Sequence, residues 1–374
     1  MRVLHIYSGN LYGGVETLLL TLARYYHLCP AMEPHFALCF EGRLSEELAA
    51  VGARIHLLGN VRVRWPLSVW RSRRVLKDIL RQHEIDIVVC HSAWPQAIFG
   101  PVARAANLPL VFWLHDAVNG HHWLQLWARL TRPDLALCCS RFTQSTLPKM
   151  YPRVSSQLVC CPVPGHMPHA SDTGRQATRV ELNAPMQATV IVQASRMEAL
   201  KGHALLFEAL ARVKDIPSWV AWIVGGAQRP HERSYLKSLR KATATLGIAD
   251  RVMFLGQRSD VPRILAAADI HCQPNTGPEP FGITFVEALY AGIPVVTTAM
   301  GGAQEIVDDS CGILVRPDDP EALAAALRHL VQEGALRKRL GAAGPNRARQ
   351  LCDPATQIAK LAQLVSLLPE RRSG

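Results

Sequence analysis

Twice along this chain, short β-branched runs alternate with stretches of helical apolar spacing, which restricts the fold to βα units built on parallel sheets. In the first half, strands are expected near residues 3–7, 36–40, 54–57, 85–90, 110–114, 135–138 and 157–160. Between Pro162 and Pro185 the texture changes: Pro164, Gly165, Pro168, Ser171 and Gly174 follow without periodicity, so 166–185 reads as a linker. The alternation then resumes, with strands expected near 189–194, 219–224, 252–255, 270–273, 294–298 and 312–315. The implied architecture is two doubly wound α/β domains, over 1–165 and 186–351, whose ligands meet the carboxyl ends of the strands. The deepest cleft is expected between the two domains.

Composition agrees with two domains. A chain of 374 residues exceeds one typical core, and 49% apolar residues without a membrane-length apolar run describe a globular protein. The opening Met1-Arg2-Val3-Leu4-His5-Ile6-Tyr7 stops at Ser8-Gly9-Asn10 and reads as a strand, not a signal peptide. Ten cysteines are scattered, with the adjacent pairs Cys138-Cys139 and Cys160-Cys161 but no Cys-x-x-Cys. That spacing is neither a zinc set nor a disulfide framework, and points to free thiols in a reducing cytoplasm.

The formal net charge is +11, and the excess is uneven. Residues 61–81 hold Arg62, Arg64, Arg71, Arg73, Arg74, Lys77 and Arg81 against Asp78 alone, interleaved with Trp65, Leu67, Val69 and Trp70. Such a segment fits a helix on an anionic membrane surface, which would make the protein peripheral on the inner face of the plasma membrane. An ordinary crossover helix with a solvated outer face fits it too. A second Trp-rich stretch, His121-His122-Trp123-Leu124-Gln125-Leu126-Trp127, would reinforce a membrane-facing side if it lay nearby. No zinc finger, aromatic RNA-binding signature or long basic tract argues for nucleic acid.

Chemistry concentrates in Glu279-Pro280-Phe281-Gly282-Ile283-Thr284-Phe285-Val286-Glu287. A helix is expected to open here, placing Gly282, Ile283 and Thr284 where unpaired N–H groups and the helix dipole attract phosphate. Glu279 lies just before that start and Glu287 about one turn inside, so one carboxylate can face a sugar and the other a ribose. Two carboxylates at this spacing also occur on plain solvated helices. Arg196 and Lys201 flank the turn after strand 189–194, a fork and a point charge suited to a diphosphate, or simply two solvated cations. Gly13-Gly14 precedes a helix and would permit positive φ and close backbone approach, without forming a dinucleotide fingerprint. His115 stands at the mouth of strand 110–114, as a sugar-facing donor or a structural histidine.

Taken together, Gly13-Gly14, Arg196 with Lys201-Gly202, Phe254-Leu255-Gly256 and the Glu279-to-Glu287 element, followed by Ala291-Gly292-Ile293-Pro294, closely resemble the retaining glycosyltransferases of family 4. The resemblance implies the GT-B fold: two Rossmann-like doubly wound domains facing across a cleft. The donor is then held by the C-terminal domain and the acceptor by the N-terminal one, with a last helix at about 352–370 packing back on the N-terminal domain. It assigns Arg196 and Lys201 to the donor diphosphate and its leaving charge, Glu279 to sugar hydroxyls near the anomeric carbon, and Glu287 to the ribose. Gly282, Ile283 and Thr284 would contact phosphate or sugar, Gly256 and Arg258 would line the base, Gly13 and Gly14 would approach the diphosphate, and His115 would lie by the reacting sugar. The implied reaction moves a sugar from a nucleotide-diphospho-sugar to a hydroxyl of a saccharide or lipid-linked acceptor, with retention, no cofactor and no metal. A role in cell-surface polysaccharide, lipopolysaccharide or glycolipid synthesis follows.

Two other classes share this architecture. A sugar-nucleotide epimerase would use the same donor, and a non-catalytic binding protein would keep the pocket without Glu279 or Lys201, both of which are present. A phosphorylase would need a lysine-bound pyridoxal phosphate, for which no distinctive context is found.

Overall fold

The computed structural model describes residues 1–9, 13–165 and 172–369. The chain forms two compact units, Met1–Val163 with Cys352–Gly374, and Pro164–Leu351. In the first unit, strands β1 (Arg2–Tyr7), β2 (Glu33–Leu38), β3 (Arg54–Leu57), β4 (Ile87–His91), β5 (Leu110–Leu114), β6 (Leu135–Cys138) and β7 (Ser156–Leu158) pair in parallel in the order β3-β2-β1-β4-β5-β6-β7. The central strands are apolar on both faces because helices cover both. On one face Val3, Phe36, Val89, Val111 and Trp113 pack with Leu18, Leu19 and Leu22 of helix Gly14–Tyr25. Ile358, Leu361 and Val365 of helix Pro354–Ser366 join the same layer, so the C-terminal helix is part of the first unit's core. On the other face Leu4, Ile6, Val88 and Cys90 meet Leu76 and Leu80 of helix Pro66–Gln82 and Ile98 and Phe99 of helix Ala93–Ala105.

In the second unit, β8 (Thr189–Ala194), β9 (Trp219–Val224), β10 (Val252–Gly256), β11 (Ile270–Gln273), β12 (Val295–Thr298) and β13 (Gly312–Val315) form a parallel sheet in the order β10-β9-β8-β11-β12-β13. Both sheets therefore run outward in one direction and then reverse, at β1/β4 and at β8/β11. Loops diverge at such a reversal and leave a crevice beyond the carboxyl strand ends. In the second unit Arg196 and Lys201 follow β8, and Glu279 and Gly282 follow β11.

All thirteen expected strands are present, seven with the expected ends and six with shifted ones. β2 starts at Glu33 rather than 36 because Pro34 pairs with Val3 of β1 before β3 begins its own pairing at His35. Its missing N–H is thus never required on the β3 side. The linker over 166–185 needs correction. Residues 166–171 lie outside the described residues, but Asp172–Glu181 is a helix of the second unit. It docks through two arginines in place of a leucine stripe. Arg175 and Arg179 each bond Asp269 at 2.5 Å, and Arg179 Nε donates to Ala267 O at 3.0 Å. An inner face made of guanidinium groups carries no apolar periodicity, so composition reads it as loop. All ten cysteines are free thiols, eight of them buried.

Candidate functional site

The donor-side cluster assembles where β8, β11 and β12 end. Gly202, in the left-handed region at φ +73°, turns the chain so tightly after β8 that a Cβ there would stand 1.7 Å from Pro274 O. Only glycine fits, and the close approach brings Lys201 against the end of β11. Lys201 Nζ lies 2.7 Å from Glu279 Oε2. The same oxygen accepts from Asn275 Nδ2 at 3.0 Å and Gln273 Nε2 at 3.3 Å. Glu279 is itself anchored by a bridge to Gly301, and its carbonyl accepts from Gly302 N at 2.7 Å. Thr297 and Thr298 of β12 hold the carbonyls of Gln273 and Asn275 at 2.8 and 2.7 Å. One carboxylate oxygen thus has three donors, while Oε1 takes no protein hydrogen bond among the described residues.

Immediately beyond, Gly282 (φ +107°) caps helix Ile283–Tyr290. Its Cβ would strike the Phe285 ring at 2.4 Å, so this helix start also demands glycine. Gly282 O is occupied by Phe285 N and Val286 N. The N–H groups of Ile283 and Thr284 have no protein acceptor among the described residues and project from the positive end of the helix. Glu287, one turn in, keeps part of its surface exposed and has no side-chain bond among the described residues. Burial of the rest pushes its carboxyl up from 4.5 to about 7.

Arg196 is not a free-standing cation: its guanidinium sits 2.9 Å from Glu198 Oε1 and stays partly exposed. Arg258 is committed elsewhere. It bonds Asp260 at 2.7 Å and Glu181 at 3.1 Å in a network with Arg263, which draws Asp260 down from its ordinary range. That network ties helix Asp172–Glu181 to the loop after β10, a structural use of Arg258. Gly256 closes β10 with φ +70°, and its carbonyl accepts from Gly225 N at 2.8 Å.

In the first unit, Gly13 caps helix Gly14–Tyr25 with φ −170°, an extended backbone open to any residue, and Gly14 is helical. The expected positive φ therefore belongs to neither. The left-handed glycine of this loop is Gly9, at φ +81°.

His115 is buried and heads a chain of three imidazoles. His115 Nε2 lies 2.9 Å from His91 Nδ1, and His91 Nε2 lies 3.0 Å from His5 Nδ1. Burial pushes His5 and His115 down to about 3 and His91 well below its ordinary value, so all three are neutral at neutral pH. His5 Nε2 is buried without a partner. An orphaned N–H is rarer than an unpaired acceptor. The favourable tautomers therefore run His5 Nδ1–H to His91 and His91 Nδ1–H to His115, which leaves His115 Nδ1–H as an outward donor.

Sequence reasoning missed Gln273, Asn275, Glu198, His91 and His5. A signal existed for some: Gln273-Pro274-Asn275 places two amides straight after an apolar strand, and His5 and His91 interrupt apolar runs.

Of residues 61–81, those from Pro66 onward lie in helix Pro66–Gln82, which has a buried inner face and an exposed outer one. Trp65, Leu67 and Trp70 are exposed at 59%, 71% and 58%, beside Arg71 and Arg74. Arg73 leaves this set, since it turns inward to donate to Ile98 O at 2.7 Å. Helix Trp123–Arg129, with Trp123 and Leu126 exposed, packs on the same helix Ala93–Ala105 as Pro66–Gln82 does. Among the described residues, no helix is long and apolar enough to cross a membrane.

Two parallel doubly wound sheets, with a carboxylate, a lysine and a helix start at the second switch point, define a GT-B glycosyltransferase. The family model "Glycosyl transferases group 1" matches residues 174–347, and "Glycosyltransferase Family 4" matches residues 12–163. The chain belongs to family 4 of the glycosyltransferases. It is 28% identical over 325 residues to the GDP-mannose-dependent alpha-(1-6)-phosphatidylinositol monomannoside mannosyltransferase of Mycolicibacterium smegmatis, covering 80% of this chain and 81% of that one. To the phosphatidyl-myo-inositol mannosyltransferase of Mycobacterium tuberculosis it is 27% identical over 358 residues, covering 90% and 89%. Among solved structures, Anabaena Alr3699/HepE in complex with UDP superposes with a TM-score of 0.86 at 25% identity, covering 98% of this chain and all of that one. The two curated relatives are mannosyltransferases, which supports a transferase and not the epimerase or the non-catalytic binding protein.

Proposed function

We propose that this glycosyltransferase moves mannose from GDP-mannose, with retention of configuration, to a hydroxyl of a lipid-linked acceptor at an anionic membrane surface. The observation that carries the reading is Glu279, whose Oε2 is held by Lys201, Asn275 and Gln273 while Oε1 stays open beside a helix start with unpaired N–H groups. A fixed carboxylate next to an anion cradle suits a sugar attached to a diphosphate. Glu279 orients the sugar hydroxyls, and Ile283 N and Thr284 N meet the phosphate. Arg196 and Lys201 offset the charge that grows on the leaving diphosphate, which requires no divalent metal. Glu287, short of partners, accepts the ribose hydroxyls. His115 Nδ1–H is the donor that the first unit offers to a sugar hydroxyl.

Retention follows from attack of the acceptor oxygen on the face from which the diphosphate departs, with the departing phosphate taking the acceptor's proton. No enzyme carboxylate needs to form a covalent bond. The GDP-mannose preference rests on the mannosyltransferases the chain is similar to, and the membrane location on the exposed Trp and Arg side chains of helix Pro66–Gln82. A UDP-glucose donor is the second reading, supported by the Anabaena neighbour solved with UDP and glucose. Incubation with GDP-mannose or UDP-glucose and a phosphatidylinositol-type acceptor, with the new linkage read by NMR, tests the proposal. A new α-mannoside, formed at the same rate with or without added magnesium or manganese, is expected. A β-linked product would overturn retention.

A further inference from the structure

A second histidine cluster lies in the first unit, at the β2–β3 edge of its sheet. His35 is in β2 and His56 in β3, where it pairs with Ala37, so the two imidazoles project diagonally from one face. Helix Pro66–Gln82 covers that face, and its C-cap residue is His83. His35 Nδ1 lies 3.0 Å from His56 Nε2, with the rings stacked, and the His83 ring centroid is 4.4 Å from that of His56. One ligating nitrogen from each of the three lies within 4.8 Å of the others. Around a tetrahedral ion with metal–nitrogen bonds of ~2.0–2.1 Å, neighbouring ligand nitrogens stand roughly 3.3 Å apart, close to the 3.0 Å spacing of the His35 and His56 nitrogens.

We propose that His35, His56 and His83 bind a divalent transition-metal ion of the zinc class, which fastens the end of helix Pro66–Gln82 to the sheet edge. Three neutral nitrogen donors without a carboxylate favour zinc, nickel, cobalt or copper over magnesium or calcium. His35 Nε2 supplies an independent sign. It is buried without a hydrogen-bond partner, since Glu33 Oε1 stands 3.8 Å away, beyond hydrogen-bond reach, and is held by Arg54. Arg54 and Arg2 are cationic neighbours, but Glu33 and Glu84 balance them.

The full-length protein, stripped with chelator and desalted, is titrated with Zn²⁺ by calorimetry and with Co²⁺ by visible absorption. The expected result is one ion per chain, tetrahedral Co²⁺ bands and a Tm that rises with Zn²⁺ concentration. His83→Ala, which alters a half-buried cap, should weaken binding by at least about tenfold with an unchanged far-UV spectrum. His56→Ala should do the same, and replacing the exposed His121 and His122 should leave binding intact. Absence of saturable binding overturns the proposal. So does wild-type affinity in His83→Ala, or loss confined to the His121/His122 variant.

Discussion

Lys201 Nζ and Glu279 Oε2 lie 2.7 Å apart, so the cation proposed to meet a departing diphosphate is positioned by the carboxylate proposed to meet the sugar. The pair is mostly buried, and Asn275 and Gln273 share the load on the same oxygen. Removing Lys201 therefore leaves Glu279 hydrogen-bonded, and the fold should survive. Lys201→Ala is expected to lower kcat by about 10²–10³ with KM little changed, as for loss of a donor that acts on developing charge. Lys201→Arg should restore little, because a planar fork cannot replace a point charge at this contact. Steady-state kinetics on both variants provide the check.

His91 touches no proposed ligand and serves only to position His115. His91→Phe fills the volume but breaks the contact at 2.9 Å, freeing the His115 ring and its tautomer. A fall in kcat of about tenfold is expected, the scale of one buried hydrogen bond. His91→Asn, which keeps a polar partner, should recover part of it. A merely structural role would predict equal losses of Tm in both variants and no difference between their kcat values.

Acid sensitivity follows from the buried histidines. His5, His115 and His271 are pushed from 6.5 to about 3, and His56 and His203 to about 4. Between 6.5 and these values the unfolded chain binds more protons than the folded one, so stability must fall as pH falls. Glu287 has the opposite sign. Its raised folded value, about 7 against 4.5, means a contribution present below 4.5 and lost as pH rises through 7. Wild type should thus lose stability relative to Glu287→Gln over that window, read as Tm against pH. Nucleotide-sugar affinity should rise through about 7 as Glu287 ionises to accept ribose hydroxyls.

Membrane attachment through helix Pro66–Gln82 should depend on Arg71 and Arg74. Each juxtamembrane arginine contributes about 1 kcal/mol, so replacing both with alanine should weaken binding to anionic vesicles on the order of thirtyfold. Cosedimentation should fade at high salt and be absent with purely zwitterionic vesicles. Salt-independent binding, or none to anionic vesicles, would remove the membrane from the account.

Much of the fold was legible because buried parallel strands are written as short apolar runs bounded by turns, as in Val190-Ile191-Val192 and Trp219-Val220-Ala221-Trp222. The helix Asp172–Glu181 was not, because it docks by Arg175 and Arg179 rather than by an apolar stripe. In the site, Glu279, Lys201 and Gly282 could be found from their local pattern and family resemblance. The amides of Gln273 and Asn275 show in sequence only as two polar residues closing an apolar strand, because their contact with Glu279 is made by the fold and not by the local pattern. Arg258 shows what a local pattern leaves out: nothing in the sequence around this strand end announces that Asp260 and Glu181 bond it in the fold.

The central claim is transfer of a sugar at the Glu279–Lys201 site. Its most direct measurement is single-turnover reaction of the purified protein with radiolabelled GDP-mannose and a phosphatidylinositol-type acceptor, run beside Lys201→Ala and Glu279→Gln. The account predicts labelled α-mannosylated lipid from wild type and a loss of about 10²–10³ in rate for Lys201→Ala. Unchanged transfer by both variants, or donor binding without any turnover in wild type, would contradict it.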